Sequence, residues 1–343
     1  MLKVNLALQG GGAHGAFTWG VLDRLLDDEE IEVAGISGTS AGALNGAAFK
    51  AGMVAGGREG ARAALDTLWG RMGAVNDMRL PAWMIGATYL PGDYTKMMEM
   101  SFPYTFAETM SRLTSPYAYG PFWTNPLRPV VDEFDFDKVC GEPGPDLFVC
   151  ATNVRTGKIH IFSGDQITTD AILASACLPS IFRAVEIENP VTGEMEAYWD
   201  GGYTGNPALY PLFSPGLPDD IIVVNLNPMQ RDEVPKSPQA IQNRINEISF
   251  NTSLLRELRL IEFAQRLVIE RDIPEGTIKD LKIHMISDND LMNELSVATK
   301  LVPNPFLLHR LKTAGRAAAD RFLDQHKAAI GKESSVSLPD MFA

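Results

Sequence analysis

The stretch LALQGGGAHGAF, residues 6–17, places an apolar run, three consecutive glycines and a helix-compatible segment in immediate succession. An apolar run that stops at glycines before a helical pattern predicts the strand, loop and helix with which a parallel α/β sheet begins. Gly10, Gly12 and Gly15 fit the pattern G-x-G-x-x-G, which many dinucleotide-binding loops share. Such a loop can equally direct backbone N–H groups at an oxyanion. The sequence outside this loop has to decide between a phosphate site and a reacting carbonyl.

The segments after this loop continue the alternation of strands and helices. A short strand, VAGIS at 33–37, runs into the turn GTSAG at 38–42, and a helical stretch follows. Further strands are predicted at 147–154, 158–162, 220–227 and 281–287, and a hairpin at 184–199. This order predicts an α/β fold with a mainly parallel central sheet.

Two other regions differ in character from the sheet-forming segments. Residues 80–125 are dense in Trp, Tyr, Phe and Met and are broken by Pro and Gly. We interpret them as an insert or cap, either an irregular satellite core or the wall of an apolar pocket for an acyl chain. From Ser237, a predicted N-cap followed by Pro238, the chain turns helical. We expect a helical part at 236–330 that packs on the same domain, and a loose tail at 331–343.

Composition excludes several classes of function. The net charge of -13 and the pI of about 4.9 argue against nucleic acid as a partner, because phosphate binding needs clustered Lys and Arg. The odd number of cysteines, Cys140, Cys150 and Cys177, has no C-x-x-C spacing, so we expect reduced thiols and no metal site. No apolar stretch reaches the roughly 18 residues of a membrane span. We therefore expect a cytoplasmic protein whose membrane contact, if any, is peripheral and transient.

The turn Gly38-Thr39-Ser40-Ala41-Gly42 matches G-x-S-x-G between a predicted strand and a predicted helix. In that position a serine lies on a sharp strand-to-helix turn, with small residues on either side to allow close backbone approach. The N-terminus of the following helix adds free N–H groups and a positive dipole end near the Ser40 hydroxyl. The pattern favours Ser40 as a nucleophile over a simple small-residue turn.

This turn also weighs against a dinucleotide site. A dinucleotide fold needs an acidic residue at the end of the second strand, but that strand ends in Ser37, and Glu30 and Glu32 precede it. The glycine loop and the serine turn follow neighbouring strands at the same sheet edge. The N–H groups of Gly11, Gly12 or Ala13 can then reach a carbonyl attacked by Ser40, with Ala41 N–H as a further donor.

A serine nucleophile needs a base, and the five histidines do not offer a convincing one. His14 lies inside the glycine loop, and the others lie in apolar strands or late helices, at His160, His284, His309 and His326. Asp200 ends a predicted strand and precedes Gly201 and Gly202, which places a carboxylate on a turn with room for a close neighbour. A plain Asp-Gly turn is the alternative explanation, and Asp165 and Asp170 are further acidic candidates in a polar loop.

Four motifs in this order resemble the patatin-like phospholipase family: GGGAHG at 10–15, GTSAG around Ser40, ASACLP at 174–179 and DGG at 200–202. The resemblance covers roughly residues 3–230, and we assign 1–235 to a patatin-like catalytic domain. It implies a three-layer α/β/α fold and a Ser40–Asp200 dyad without a catalytic His. It also implies an oxyanion loop formed by Gly10, Gly11, Gly12 and Gly15. His14 departs from the family, which often has Arg or Lys there, so a permanent positive charge is missing from the loop.

The resemblance implies calcium-independent hydrolysis of lipid acyl esters, of the phospholipase A or lysophospholipase type, with no cofactor and no metal. Two alternatives stay open. An acyltransferase would use the same acyl-enzyme and pass the acyl group to an alcohol or thiol. A non-enzymatic nucleotide-binding module would use GGGAHG for a phosphate. The expected partner is a lipid or another acyl ester; the sequence does not indicate an oligomeric state.

Overall fold

The computed structural model describes residues 1–75, 115–120, 124–141, 143–190, 192–271, 274, 276–295, 297–301 and 303–342. Most of the aromatic segment at 80–125 lies outside these described residues. The predicted pocket wall therefore stays a prediction.

Eight strands form one mixed sheet in the order β5-β6-β3-β2-β1-β7-β8, with β4 paired to β3. Their bounds are β1 Leu2–Leu8, β2 Ile31–Thr39, β3 Asp146–Asn153, β4 Ile159–Ser163, β5 Val185–Glu188, β6 Met195–Asp200, β7 Asp220–Val224 and β8 Lys282–Ile286. The pairs among β3, β2, β1, β7 and β8 are all parallel, whereas β4, β5 and β6 join through antiparallel pairs. The mainly parallel sheet and the β5–β6 hairpin are confirmed.

The described helices flank this sheet. Their bounds are α1 Gly15–Leu25, α2 Ala41–Val75, α3 Arg128–Val131, α4 Phe136–Cys140, α5 Thr169–Ser175, α6 Pro238–Arg271, α7 Asn289–Glu294, α8 Val297–Leu301, α9 Pro305–His326 and α10 Leu338–Met341. Helix α2 is interrupted at Gly56 and Gly57. Ser237 Oγ accepts the Ala240 N–H at 3.1 Å, which confirms the predicted cap of α6. Among the described helices, none is long and apolar enough to cross a membrane.

Alternating side chains of the central strands are buried in two separate apolar cores. In β7, Ile222 and Val224 join the larger apolar core with α1, α2 and α9, whereas Ile221 and Val223 join a second core with α6 and α10. Alternation is what a strand covered on both faces requires. The architecture is therefore the three-layer α/β/α arrangement that the sequence indicated.

In the tail expected at 331–343, several described residues contact the rest of the domain. Ser335 N–H donates to the Ile283 carbonyl at 3.1 Å, which ties the tail to the outer strand β8. Leu338 is buried in the second core, and the Arg259 guanidinium stacks over the Phe342 ring at 4.9 Å. The few apolar residues of this segment contact α6.

Candidate active site

Ser40 lies in a sharp turn between β2 and α2. Its φ of 54° is the one left-handed value that a non-glycine residue adopts in the described chain. A serine held there is strained, and such strain clusters at functional sites. The turn is also crowded, since a methyl group on Gly42 would collide with the Leu8 carbonyl of the neighbouring strand. The Ser40 N–H donates to the buried Ser175 Oγ at 2.9 Å, so the ASACLP segment supports this turn.

Asp200 lies at the same edge of the sheet as Ser40, although its strand β6 runs in the opposite direction to β2. Strand β2 pairs with β3 as far as Thr39 and Cys150, but β3 runs on to Asn153. The antiparallel strand β6 pairs with this projecting end and stops at Asp200, opposite Ala151. Asp200 therefore ends close to Ser40, although β3 lies between their strands.

The Asp200 carboxyl group is almost fully buried, with 2% of the residue exposed. Its Oδ1 accepts the Gly202 N–H at 2.7 Å, and the Ser40 side chain lies close enough to act on the carboxyl group as a second donor. Burial raises the pKa of Asp200 to about 7, while the two donors, Gly202 N–H and the Ser40 side chain, lower it. A carboxylate with such a pKa accepts a proton far more readily than an exposed aspartate.

The side chains around Asp200 are uncharged at neutral pH: an aromatic ring, a thiol and a phenol. Its N–H donates to the Cys177 carbonyl at 2.8 Å. Burial and the nearby Asp200 charge raise the pKa of the Cys177 thiol and of the Tyr203 phenol each to about 12. A methyl group on Gly202 would lie 2.8 Å from the Phe250 ring, so this aromatic side chain of α6 closes over the DGG turn. Neither the Cys177 thiol nor the Tyr203 phenol supplies a positive charge to Asp200.

The glycine loop packs directly against the Ser40 turn. A methyl group on Gly10 would lie 2.9 Å from Ser40 Cβ, and one on Gly12, where φ is +57°, would collide with the Lys300 carbonyl of α8. The Gly10 N–H donates to Asn206 Oδ1 at 2.7 Å. Gly15 begins α1 and faces Ala41, since a methyl group there would lie 2.6 Å from Ala41 Cβ. Gly10 and Gly15 thus allow close packing, while Gly11, Gly12 and Ala13 form the turn itself.

A buried amide network fixes the loop from behind. Gln9 Oε1 accepts the N–H of Leu226 at 2.8 Å and that of Asn227 at 3.0 Å, and Gln9 Nε2 donates to the Asn206 carbonyl and to Asn251 Oδ1, each at 3.2 Å. Asn227 Nδ2 donates to Gly10 O at 3.0 Å. Sequence reasoning missed these residues. The one available signal was polar side chains directly after buried strands at the carboxyl edge of the sheet.

A family model for the patatin-like phospholipases matches residues 6–213. The chain belongs to this family. No curated protein sequence matches it significantly. Among solved structures it is similar to VipD from Legionella pneumophila, with 15% identity and a TM-score of 0.43 over 94% of this chain and 67% of VipD.

His14, where the sequence departs from the family motif, is buried, and its contacts do not favour a catalytic role. Its Nε2 lies 2.8 Å from Thr299 Oγ1. Burial, with a smaller effect of the nearby Lys300 charge, holds the pKa of His14 well below its usual value, so the ring is neutral. Because His14 is neutral, it brings no positive charge to this patatin-like glycine loop. Lys300, which packs on Gly12, is a cation that lies beside the loop.

The other candidate bases have partners elsewhere. His160 packs against the rings of Phe162 and Tyr198, and His284 Nε2 lies 3.0 Å from Asp220 Oδ1. His309 and His326 lie on α9. Asp165 is exposed, and Asp170 pairs with Arg128. Within the described residues, no cluster of three or more His, Cys, Asp or Glu could hold a metal ion.

Proposed function

We propose that this patatin-like protein is a lipid acyl hydrolase of the phospholipase A or lysophospholipase type, with Ser40 as nucleophile and Asp200 as base. The observation that carries the proposal is the placement of the strained Ser40 side chain beside the buried Asp200 carboxyl group, where it acts as a donor that lowers the pKa of Asp200. A nucleophile within hydrogen-bond reach of its base is the arrangement that acyl transfer requires.

In the first half-reaction, Ser40 Oγ attacks the ester carbonyl of the lipid and Asp200 accepts the hydroxyl proton. The tetrahedral intermediate collapses when its C–O bond to the alcohol breaks, and Asp200 returns the proton to that alcohol. In the second half-reaction, water attacks the acyl-enzyme and gives its proton to Asp200, and the fatty acid leaves as Ser40 takes the proton back.

The negative charge of both intermediates needs hydrogen-bond donors. Because Gly10 N–H already donates to Asn206 and Ser40 N–H to Ser175, we assign this role to the N–H groups of Gly11, Gly12 and Ala13, with Ala41 at the start of α2 as a further donor. Gly10 and Gly15 would contribute through close packing. No metal and no cofactor enters these steps.

The burial of Asp200 suits this chemistry. A carboxylate near its reference pKa of about 4 is a feeble base at pH 7. With a pKa of about 7, Asp200 is ionised in half of the molecules at neutral pH and holds the serine proton well once it has accepted it. We expect the rate to rise with pH through about 7.

We infer the substrate class from the family and the compartment from the cysteines. The family indicates lipid substrates, and we propose peripheral, transient membrane contact during turnover. The three cysteines are free thiols, which fits the reducing cytoplasm.

The test is hydrolysis of p-nitrophenyl esters and of phosphatidylcholine vesicles, with a fluorophosphonate to label the nucleophile. Wild type should hydrolyse esters and be labelled at Ser40, and Ser40→Ala and Asp200→Asn should lose at least about 10³-fold in kcat. Ser335→Ala, a serine tied to β8, is the matched control and should keep full activity. Full activity in either dyad variant would remove that residue from its role.

Two further measurements address the alternatives. Adding lysolipid or alcohol acceptors would reveal transfer products if the protein is an acyltransferase. A clear thermal stabilisation by NAD or ATP, in a protein that neither hydrolyses esters nor reacts with fluorophosphonate, would instead favour a nucleotide-binding module.

A further inference from the structure

Lys300 spans the outer side of the glycine loop. At one end its carbonyl and Cβ pack on Gly12, since a methyl group on Gly12 would lie 3.5 Å from Lys300 Cβ and collide with its carbonyl oxygen. At the other end its Nζ donates to Asn227 Oδ1 at 2.7 Å. The lysine thus connects the middle of the loop with the amide that holds the start of the loop.

The Asn227 amide passes this contact on to a peptide of the loop. While Asn227 Oδ1 accepts from the Lys300 ammonium, its Nδ2 donates to Gly10 O at 3.0 Å. The Gly10 carbonyl shares its peptide group with the Gly11 N–H. Consecutive hydrogen bonds polarise one another, and a charged donor at one end makes each later N–H a stronger donor.

We propose that Lys300 is a positioning residue of the oxyanion hole, which polarises the Gly10–Gly11 peptide through the Asn227 amide and strengthens the Gly11 N–H as a donor. This inference rests on the proposed function, in which Gly11 N–H faces the developing oxyanion. Lys300 does not touch the substrate. Its charge comes from α8, outside the glycine motif, and so replaces the basic residue that His14 does not supply.

The surroundings of Lys300 make this contribution dependent on pH. Three charged or titratable groups act on it or respond to it: Glu247 on α6, Arg231, and His14 in the loop. Burial lowers the pKa of Lys300 to about 8, with Glu247 raising it and Arg231 lowering it further. Glu247 is itself paired with Arg231 and Arg244, and His14 is neutral. The ammonium is therefore present at pH 7 and lost as the pH rises through about 8.

The kinetic test compares Lys300→Met, Lys300→Arg and Lys279→Met. Lys279 is the matched control, because its Nζ is likewise held by oxygen acceptors, in its case the backbone carbonyls of Leu212, Ser214 and Leu217, which lie outside the glycine loop. Lys300→Met should lower kcat about tenfold at pH 7.5 with KM nearly unchanged, less than the loss of a whole oxyanion donor. Wild type should lose rate above pH 8, and this fall should be absent in Lys300→Met. Lys300→Arg, which keeps its charge, should keep more of the rate and also lack the fall.

An NMR test measures the polarisation without activity. With ¹³C-carbonyl and ¹⁵N-labelled glycine, four Gly–Gly peptides give signals, at the amides of Gly11, Gly12, Gly57 and Gly202. The Gly11 amide proton should titrate with a midpoint near 8 in wild type and shift upfield in Lys300→Met, while Gly202, bonded to Asp200, should titrate near 7 in both. Gly57, in an open turn, is the internal reference.

The outcomes separate the two proposals. A wild type that neither hydrolyses esters nor reacts with fluorophosphonate overturns the proposed function, whatever Lys300 does. An active wild type whose Gly11 amide and pH profile are the same in Lys300→Met overturns the role of Lys300 and leaves the Ser40–Asp200 mechanism standing. A matching loss of rate in Lys279→Met would assign the effect to stability and also overturn it.

Discussion

The Asp200 carboxyl group, with 2% of the residue exposed, lies beside the Ser40 side chain, which acts on it as a hydrogen-bond donor. Burial favours the protonated acid, whereas the hydrogen bonds from Ser40 and Gly202 favour the carboxylate. Burial is the larger effect, and the pKa settles at about 7. The same desolvation that suits Asp200 to the proposed role of base therefore reduces the stability of the protein once Asp200 ionises.

Asp200→Asn should abolish activity and raise stability at alkaline pH. The folded pKa of about 7 lies above the unfolded value of 3.8, so the stability from the buried acid is present below pH 4 and is lost as the pH rises through about 7. Asparagine keeps an acceptor for Gly202 N–H and does not ionise. Denaturant unfolding should give the variant an advantage of roughly 4 kcal/mol at pH 8.5 that largely disappears near pH 4.

Glu257→Gln is the matched control for that prediction. Like Asp200, Glu257 is a buried carboxyl group held by backbone donors: it accepts the N–H groups of Leu209 at 2.8 Å and Tyr210 at 2.7 Å, and burial raises its pKa to about 7. Its variant should show a pH-dependent gain in stability of the same sign and somewhat smaller size, because the pKa shift starts from 4.5, with kcat unchanged. If Asp200→Asn gained no stability at high pH while Glu257→Gln did, the Asp200 pKa would not be raised.

Gly12→Ala tests how tightly α8 covers the glycine loop. Its control is Gly164→Ala, because both glycines begin a short 3₁₀ helix with similar φ, +57° and +53°, but Gly164 has open space where a methyl group would lie. Both variants should lose the ~1–2 kcal/mol that a left-handed alanine costs. Gly12→Ala should lose clearly more, with kcat at least about tenfold lower, because its methyl group meets the Lys300 carbonyl. Equal losses in urea unfolding and unchanged kcat would mean that α8 does not constrain the loop.

Ser175→Ala tests the support of the Ser40 turn. The substitution removes the acceptor of the Ser40 N–H, and an unsatisfied buried N–H costs ~1–3 kcal/mol. Because Ser40 is held at a φ of 54°, we expect the turn to relax and kcat to fall about tenfold or more, with fluorophosphonate labelling slowed in parallel. Ser335→Ala, whose hydroxyl has no partner among the described residues, should change neither stability nor labelling. A stable Ser175→Ala with normal labelling would contradict a supporting role.

Local sequence pattern was sufficient for the sheet and for the two turns that follow β1 and β2. The apolar run at Leu2–Leu8 and the glycines after it determine a strand and a turn through short-range sterics, and Ser40 follows the next strand by the same reasoning. Asp200 was identifiable as a carboxylate at a strand end. Its closeness to Ser40 depends on β3 extending past β2 and on β6 pairing with that extension, a long-range register that no local pattern encodes.

The residues that hold the glycine loop could not be predicted from the sequence, because they come from distant segments. Asn206, Asn227 and Lys300 follow the glycine loop by about 200 residues or more and reach it through tertiary packing. Gly15 fits the glycine pattern of the loop but serves the contact between α1 and α2. The contacts of the tail are of the same kind, because the burial of Leu338 depends on α6 rather than on its own polar neighbours.

Asn206 gives the sharpest test of the loop's anchoring. Its Oδ1 accepts the Gly10 N–H at 2.7 Å, its own N–H donates to Ser253 Oγ at 3.0 Å, and its Nδ2 has no partner among the described residues. Aspartate at this position keeps the acceptor for Gly10, whereas alanine leaves the Gly10 N–H buried without one. We expect Asn206→Asp to retain most of kcat and Asn206→Ala to lose about tenfold, with KM little changed, because the anchor acts on the transition state.

Asn225→Ala controls for the loss of a buried amide side chain at the same sheet edge, since Asn225 Oδ1 has no partner among the described residues. It should leave kcat intact. If Asn206→Asp and Asn206→Ala lost activity equally, the Gly10 hydrogen bond could not be the cause. The shape of the asparagine itself would then hold the glycine loop against Ser40.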